Sequence, residues 1–194
     1  MKKILFFALL FLQTHSYGAA CFYKMETPKL TWSGYKFMSK FAVNGTFDNI
    51  TLVHSQKPEN DMDAFLKSIL FDIDVASLNS GMDIRDKKLV LYLFGGLKNP
   101  GHIRGRIKSS DIHHGTGLAE ISLNGVRKDV VFSVSQDGSS MSWKGKIDML
   151  DFKMNDAFKS IHTACKELHT GPDGKSKTWS EVGLEITTKI TKKC

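Results

Sequence analysis

Hydrophobic and polar residues alternate along most of this chain, and a period of two marks strands with one buried and one solvated face. The pattern is clearest between Ser68 and Leu89. Ile69, Phe71, Ile73 and Val75 share one face while Asp72 and Asp74 share the other, as in a half-buried strand of an antiparallel sheet. The run turns through Asn79-Ser80-Gly81 into a charged segment holding Arg85 and Asp86. Upstream, residues 30–37 read as an aromatic strand, and 45–54 as a strand with imperfect parity, the mark of a bulge. Residues 61–67 read as a short helical turn and 103–109 as a strand. Ala119, Ile121 and Leu123 alternate with Glu120 and Ser122 up to Asn124-Gly125, the preferred two-residue hairpin turn because both positions tolerate positive φ. Val130, Phe132 and Val134 continue on one face to a second turn at Asp137-Gly138. Met141, Trp143, Ile147 and Met149 line the next strand, and Val182, Leu184, Ile186, Thr188 and Ile190 the last.

Two segments depart from the strand pattern. Residues 83–94 carry Leu89, Leu91, Leu93 and Phe94 without clean helical spacing. Residues 155–168 fit a helix better: Asn155 can cap, and Phe158, Ile161, Cys165 and Leu168 recur at helical spacing. Gly171-Pro172-Asp173-Gly174 then breaks into a loop. Many antiparallel strands with close turns predict an all-β sandwich or barrel carrying one or two short helices.

The first twenty residues read as a secretory signal: Lys2 and Lys3, an apolar run from Ile4 to Leu12 too short to span a bilayer, and Gly18-Ala19-Ala20 before the cut. The mature chain, 21–194, has the size of one domain with one core. Periplasmic or secreted location is expected. Cys21 directly after the cut raises the possibility of a lipid anchor, although Gly18 stands where a lipobox has Leu. The formal net charge is +7, and the basic residues are scattered among acidic ones. No run of Lys and Arg is interleaved with aromatics as a nucleic-acid groove requires; a weak attraction to anionic headgroups is the partner chemistry this charge allows.

Catalytic templates are missing: no Ser/His/Asp or Cys/His spacing matches one, so the chain is expected to be neither an enzyme nor a cofactor protein. His162, Cys165 and His169 share a helical face and include metal-ligand types. Without an evident fourth ligand the simpler reading is a buried thiol with solvated imidazoles, and no metal is expected.

The ordered motifs carry a resemblance. Trp32-Ser-Gly-Tyr-Lys-Phe37, Val43-Asn-Gly-Thr-Phe47, the strand ending Asp74-Val-Ala-Ser-Leu-Asn-Ser-Gly81 followed by Arg85-Asp86 and Leu89, the hairpin Leu123–Val130, and Gly145-Lys-Ile-Asp148 with Asp151-Phe152 occur in turn. Together they resemble the YceI-like family of periplasmic lipid-binding proteins. Arg127 stands where that family often has Thr, 148–151 lacks its usual Arg, and 155–177 is enlarged. The resemblance implies an extended lipocalin-like antiparallel β-barrel holding an isoprenoid-type chain, of the quinone or polyprenyl-phosphate class. Phe37, Phe41, Phe71, Ile73, Phe132, Trp143 and Phe152 are the candidate lining residues, and Arg85 a candidate headgroup contact. The alternative is an envelope interaction or stress protein whose barrel is filled by side chains. Three cysteines leave the pairing open: Cys21 with Cys194 across barrel termini, or Cys165 with Cys194 if Cys21 is acylated.

Overall fold

The computed structural model describes residues 20–59 and 61–194; residues 1–19, on which the expected signal segment falls, and residue 60 lie outside the described residues. Eleven strands run β1 (Phe22–Met25), β2 (Lys29–Lys36), β3 (Phe41–Phe47), β4 (Ile50–Val53), β5 (Leu70–Asp74), β6 (Leu78–Asn79), β7 (His102–Asp111), β8 (Thr116–Leu123), β9 (Val126–Asp137), β10 (Ser140–Asp148) and β11 (Glu181–Lys193). Three α-helices interrupt them: α1 (Met62–Lys67), α2 (Asp83–Lys88) and α3 (Asn155–Ala164). The sheet order is β4-β5-β7-β8-β9-β10-β11-β2-β3-β6, with β1 also on β11. Every described pairing is antiparallel.

The two ends of this sheet meet. β3 pairs with β6 through Phe47 opposite Leu78, and β4 pairs with β5 through Ile50 opposite Ile73. Between the two ladders the Asp48 N–H donates to the Ser77 carbonyl (2.9 Å) and the Asp74 N–H to the Asn49 carbonyl (3.1 Å). β3–β4 and β5–β6 are therefore one interrupted pair of strands, and the curled sheet returns on itself, which removes the exposed edges of an open sheet. The interruption is a 3₁₀ turn, Val75–Ser77, whose first free N–H, on Ala76, is capped by the Asp74 carboxylate at 2.9 Å. It explains the imperfect parity of 45–54: two strands meet there at Asp48-Asn49 instead of one bulged strand.

Pro28 breaks the N-terminal strand in the same way. It has no N–H to give a ladder, and β1 and β2 pair with successive parts of the long β11 on either side of it. A disulfide joins Cys21 to Cys194, next to the Phe22–Lys193 pair that ends the β1–β11 ladder. Cys165 is a free thiol, so the alternative Cys165–Cys194 pairing does not occur.

The predicted hairpin at Asn124-Gly125 is present, with φ of 53° and 72°, the paired positive values of a type I′ turn. The helices differ from expectation. Residues 83–94 form α2 followed by a π-helix over Leu89–Phe94. A π-turn is wider than 3.6 residues, so the apolar positions cannot fall on α spacing: Leu93 and Phe94 are buried while Leu91 is exposed. Asn155 is the first helical residue of α3, not its cap; Met154 holds the cap position with no side-chain bond. α3 also stops at Ala164, and Leu168, expected on its buried stripe, lies in a 3₁₀ turn and is 60% exposed. Among the described residues no helix is long and apolar enough to cross a membrane.

Candidate functional site

Inward-facing side chains do not fill this barrel. The reason lies in pairs of aromatics and glycines across the ladders. Trp32 faces Gly45, Phe71 faces Gly105, and Phe132 faces both Gly145 and Gly117. A Cβ on Gly145 would lie 2.7 Å from the Phe132 ring, and one on Gly117 2.6 Å from the Trp143 ring. Trp32, Phe71 and Phe132 thus lie against the bare backbone of a neighbouring strand, and Trp143 reaches across β9 to that of Gly117, a glycine use typical of close approach within sheets. Large side chains cover the wall and leave the axis open. Gly145→Ala is expected to cost about 1–3 kcal/mol, because the ring or the strand must move. Chemical denaturation checks this; an unchanged midpoint would mean that Phe132 shifts freely.

The open interior is two apolar chambers, of about 400 Å³ and about 150 Å³. Phe47, Ile103, Leu123, Ile147 and Leu184 wall both, so the chambers adjoin across one ring of aliphatic and aromatic side chains. The larger lies in the size range of small-molecule pockets. The smaller has Thr188 as its one polar side chain, and a dry apolar cavity of that size accepts a benzene-sized body.

Phe71, Ile73, Phe132 and Trp143 line the smaller chamber, and Arg85 lines the larger. Three expected lining residues lie elsewhere. Phe152 is fully buried in a 3₁₀ turn, and its carbonyl accepts from the Asn124 side-chain amide at 3.0 Å; it plugs core beneath the hairpin and touches neither chamber. Phe37 and Phe41 sit at the turn between β2 and β3, with Phe41 58% exposed. Strand parity carried this signal: Leu30, Trp32, Gly34 and Lys36 share the inward positions of β2, and Phe37 is out of step with them. The same parity brings Lys36 to the larger chamber, a residue the motif reading overlooked together with Lys88, Tyr35 and Trp179.

Polar groups gather on one side of the larger chamber. Lys36, Arg85 and Lys88 line it, and no carboxylate does. None of the three is ion-paired among the described residues; Asp86, next to Arg85 in the chain, accepts from the backbone and hydroxyl of Ser80. Lys88 donates to the Ala164 carbonyl at 3.3 Å, tying α2 to the end of α3. Behind these cations the Thr178 hydroxyl lies between His162 Nδ1 (2.9 Å) and His169 Nδ1 (2.7 Å). One hydroxyl has one proton to give, so it donates to one ring nitrogen and accepts an N–H from the other. This is where the His162, Cys165 and His169 cluster goes: both imidazoles turn onto Thr178, and no metal-holding group of three or more such side chains exists among the described residues. Burial raises the Cys165 thiol above its ordinary value, against the pull of Lys88 and Lys36, so it is a protonated wall group.

Burial, then the charges of Lys36, His162 and Lys88, push His169 down to about 4. The folded state keeps this ring neutral, while the unfolded chain protonates near 6.5. Between those values the unfolded state binds more protons, so stability is complete above pH 6.5 and is lost as pH falls toward 4. Urea midpoints should decline over that window, and His169→Asn should flatten the decline; an equal slope in the variant would assign it to other groups.

Fold and cavity define the class: a lipocalin-like antiparallel barrel with an unfilled apolar interior. The YceI-like domain matches residues 23–189, and the chain belongs to the YceI-like family. Three solved structures share the fold at low identity. A polyisoprenoid binding domain from Saccharophagus degradans, implicated in plant cell wall breakdown, is 13% identical with a TM-score of 0.60, covering 90% of this chain and 98% of that one. Burkholderia cenocepacia BcnA is 14% identical with a TM-score of 0.57, covering 84% and 96%. The Campylobacter jejuni YCEI protein is 22% identical with a TM-score of 0.53, covering 82% and 90%. No curated protein matches the chain in sequence.

Proposed function

We propose that this protein is an exported carrier that encloses an isoprenoid-type lipid chain and performs no catalysis. The observation that carries this reading is the pair of adjoining apolar chambers, open where a filled core would pack. Each buried methylene contributes about 0.8 kcal/mol, so a prenyl tail needs few polar contacts to bind. Within the isoprenoid class, a polyprenyl phosphate fits better than a quinone. Lys36, Arg85 and Lys88 face the larger chamber without a carboxylate, and charge-assisted bonds to phosphate are stronger than those to a neutral carbonyl. Export is supported by the leader-like start of the sequence and by the Cys21–Cys194 disulfide, a bond that persists in oxidising compartments. The open chambers also weigh against the envelope protein with a filled barrel. Mass spectrometry of an organic extract from protein purified from producing cells tests the reading. A stoichiometric prenyl lipid is expected; an extract free of prenyl lipid would count against it.

A further inference from the structure

The side chains around the larger chamber include apolar groups that face water. Met82, Ile84 and Leu168 line it and are nevertheless more than half exposed, Ile84 at 71%, which places them at its rim. The turn between β2 and β3 continues this rim, since it follows directly on Tyr35 and Lys36 of the chamber wall. Met38 on that turn and Phe41 at the start of β3 are also more than half exposed. A soluble monomer seldom gathers such groups in one place without a partner for them.

The turn is held at a cost. Phe37 has φ of 62°, a left-handed conformation that is a true outlier for a bulky residue and would suit Gly or Asn. Hydrogen bonds fix it there: its N–H donates to the Lys177 carbonyl at 3.0 Å, and its carbonyl accepts from the Trp179 indole at 2.9 Å. Lysines lie against the aromatic rings. Lys36 Nζ is 4.7 Å from the centre of the Phe37 ring and 5.8 Å from that of Phe41, and Lys177 Nζ is 4.8 Å from that of Trp179. Aromatic rings interleaved with long cationic side chains suit the boundary between hydrocarbon and headgroups, where the ring buries and the ammonium reaches water.

We propose that this rim docks on the surface of an anionic lipid bilayer, with Phe41, Met82, Ile84 and Leu168 entering the headgroup region and the chamber mouth facing the membrane. The occupant follows from charge. Lys36, Arg85 and Lys88 have no ion-pair partner among the described residues, and although Asp83 and Asp86 share α2 with Arg85 and Lys88, the Asp86 carboxylate is occupied by Ser80. A cationic collar around an apolar rim matches anionic headgroups over acyl chains. The docking itself stands on the rim; its purpose, passing a lipid between bilayer and barrel without crossing water, rests on the carrier reading above.

Co-sedimentation with vesicles tests the docking, using the purified chain with its N-terminus fixed by mass and identical in all variants. Vesicles of phosphatidylcholine are compared with vesicles that also contain phosphatidylglycerol. Binding at least about tenfold tighter to the anionic vesicles is expected, weakening as salt is added. The double variant Met38→Asp, Phe41→Asp, on the rim but outside both chamber walls, should lose at least about tenfold in vesicle affinity. Both positions are largely exposed, so circular dichroism and the thermal midpoint should not change. The variant should still take up a prenyl chain presented in detergent, which separates failure of docking from failure of the carrier reading. Equal binding to both vesicle types, undiminished binding by the variant, or a wild type that ignores vesicles and dimerises through the rim would each overturn the proposal.

Discussion

Replacing Cys194 with Ser is expected to lower the thermal midpoint by about 10–20 °C. The Cys21–Cys194 bond spans a sequence separation of 173, nearly the whole described chain. In the chain-entropy treatment, freeing a loop of that length costs about 5 kcal/mol, and a domain of this size shifts by about 2–4 °C per kcal/mol. The site of the bond adds a local effect. Cys21 exchanges two backbone hydrogen bonds with Glu59 (2.9 and 2.8 Å), and among the described residues β1 pairs with the last part of β11 alone. Without the clamp, β1 and its partner residues should fray first, which hydrogen exchange would report. Thermal melts of wild type and Cys194→Ser, with and without reductant, make the check; a change of less than about 2 °C would show that strand pairing alone holds the termini.

Ala119→Phe is expected to remove the smaller chamber from use. Ala119 is buried on β8 and lines that chamber opposite open space. A phenyl ring there occupies most of a benzene-sized volume, so the barrel should stay folded while the chain loses its deeper berth. An isoprene unit carries about five carbons, and at about 0.8 kcal/mol per buried methylene its exclusion weakens binding at least about 100-fold. Short prenyl chains that need only the larger chamber should bind the variant about as well as the wild type. Fluorescence titration with short and long chains distinguishes the cases; equal loss for both lengths would indicate a misfolded barrel instead of a blocked one.

Strand alternation made most of the sheet legible in advance, because a half-buried strand writes its inward face into every second residue. Phe71 and Ile73, and Phe132 with Val134, follow that rule. The rule failed where the backbone leaves extended geometry. Asp48-Asn49 splits a run that reads as one strand, the π-turns of Leu89–Phe94 dissolve helical spacing, and Pro28 hides the short β1 from an alternation search. Site residues were harder for a different reason. Aromatic type alone does not say which way a ring points, so Phe37, Phe41 and Phe152 read like Phe71 although only Phe71 lines the interior. Parity along β2 contained the correction, and it would have singled out Lys36. The convergence of Lys36, Arg85 and Lys88 depends on β2 and α2 lining one chamber, a long-range juxtaposition without a local motif.

The opening of the interior was also written in the sequence, as glycines at positions whose cross-strand partners are aromatic. Gly45, Gly105 and Gly145 are ordinary residues until the register pairs them with Trp32, Phe71 and Phe132. Register is a property of the folded sheet, so the tunnel became visible only with the pairing.

Whether the barrel encloses a prenyl chain is decided by titrating delipidated protein with prenyl phosphates of increasing length. Enclosure of the chain in both chambers predicts saturable binding of one chain per protein, with affinity that climbs as each isoprene unit is added and levels off once both chambers are occupied. Absence of binding at every length, or an affinity indifferent to length, would contradict it.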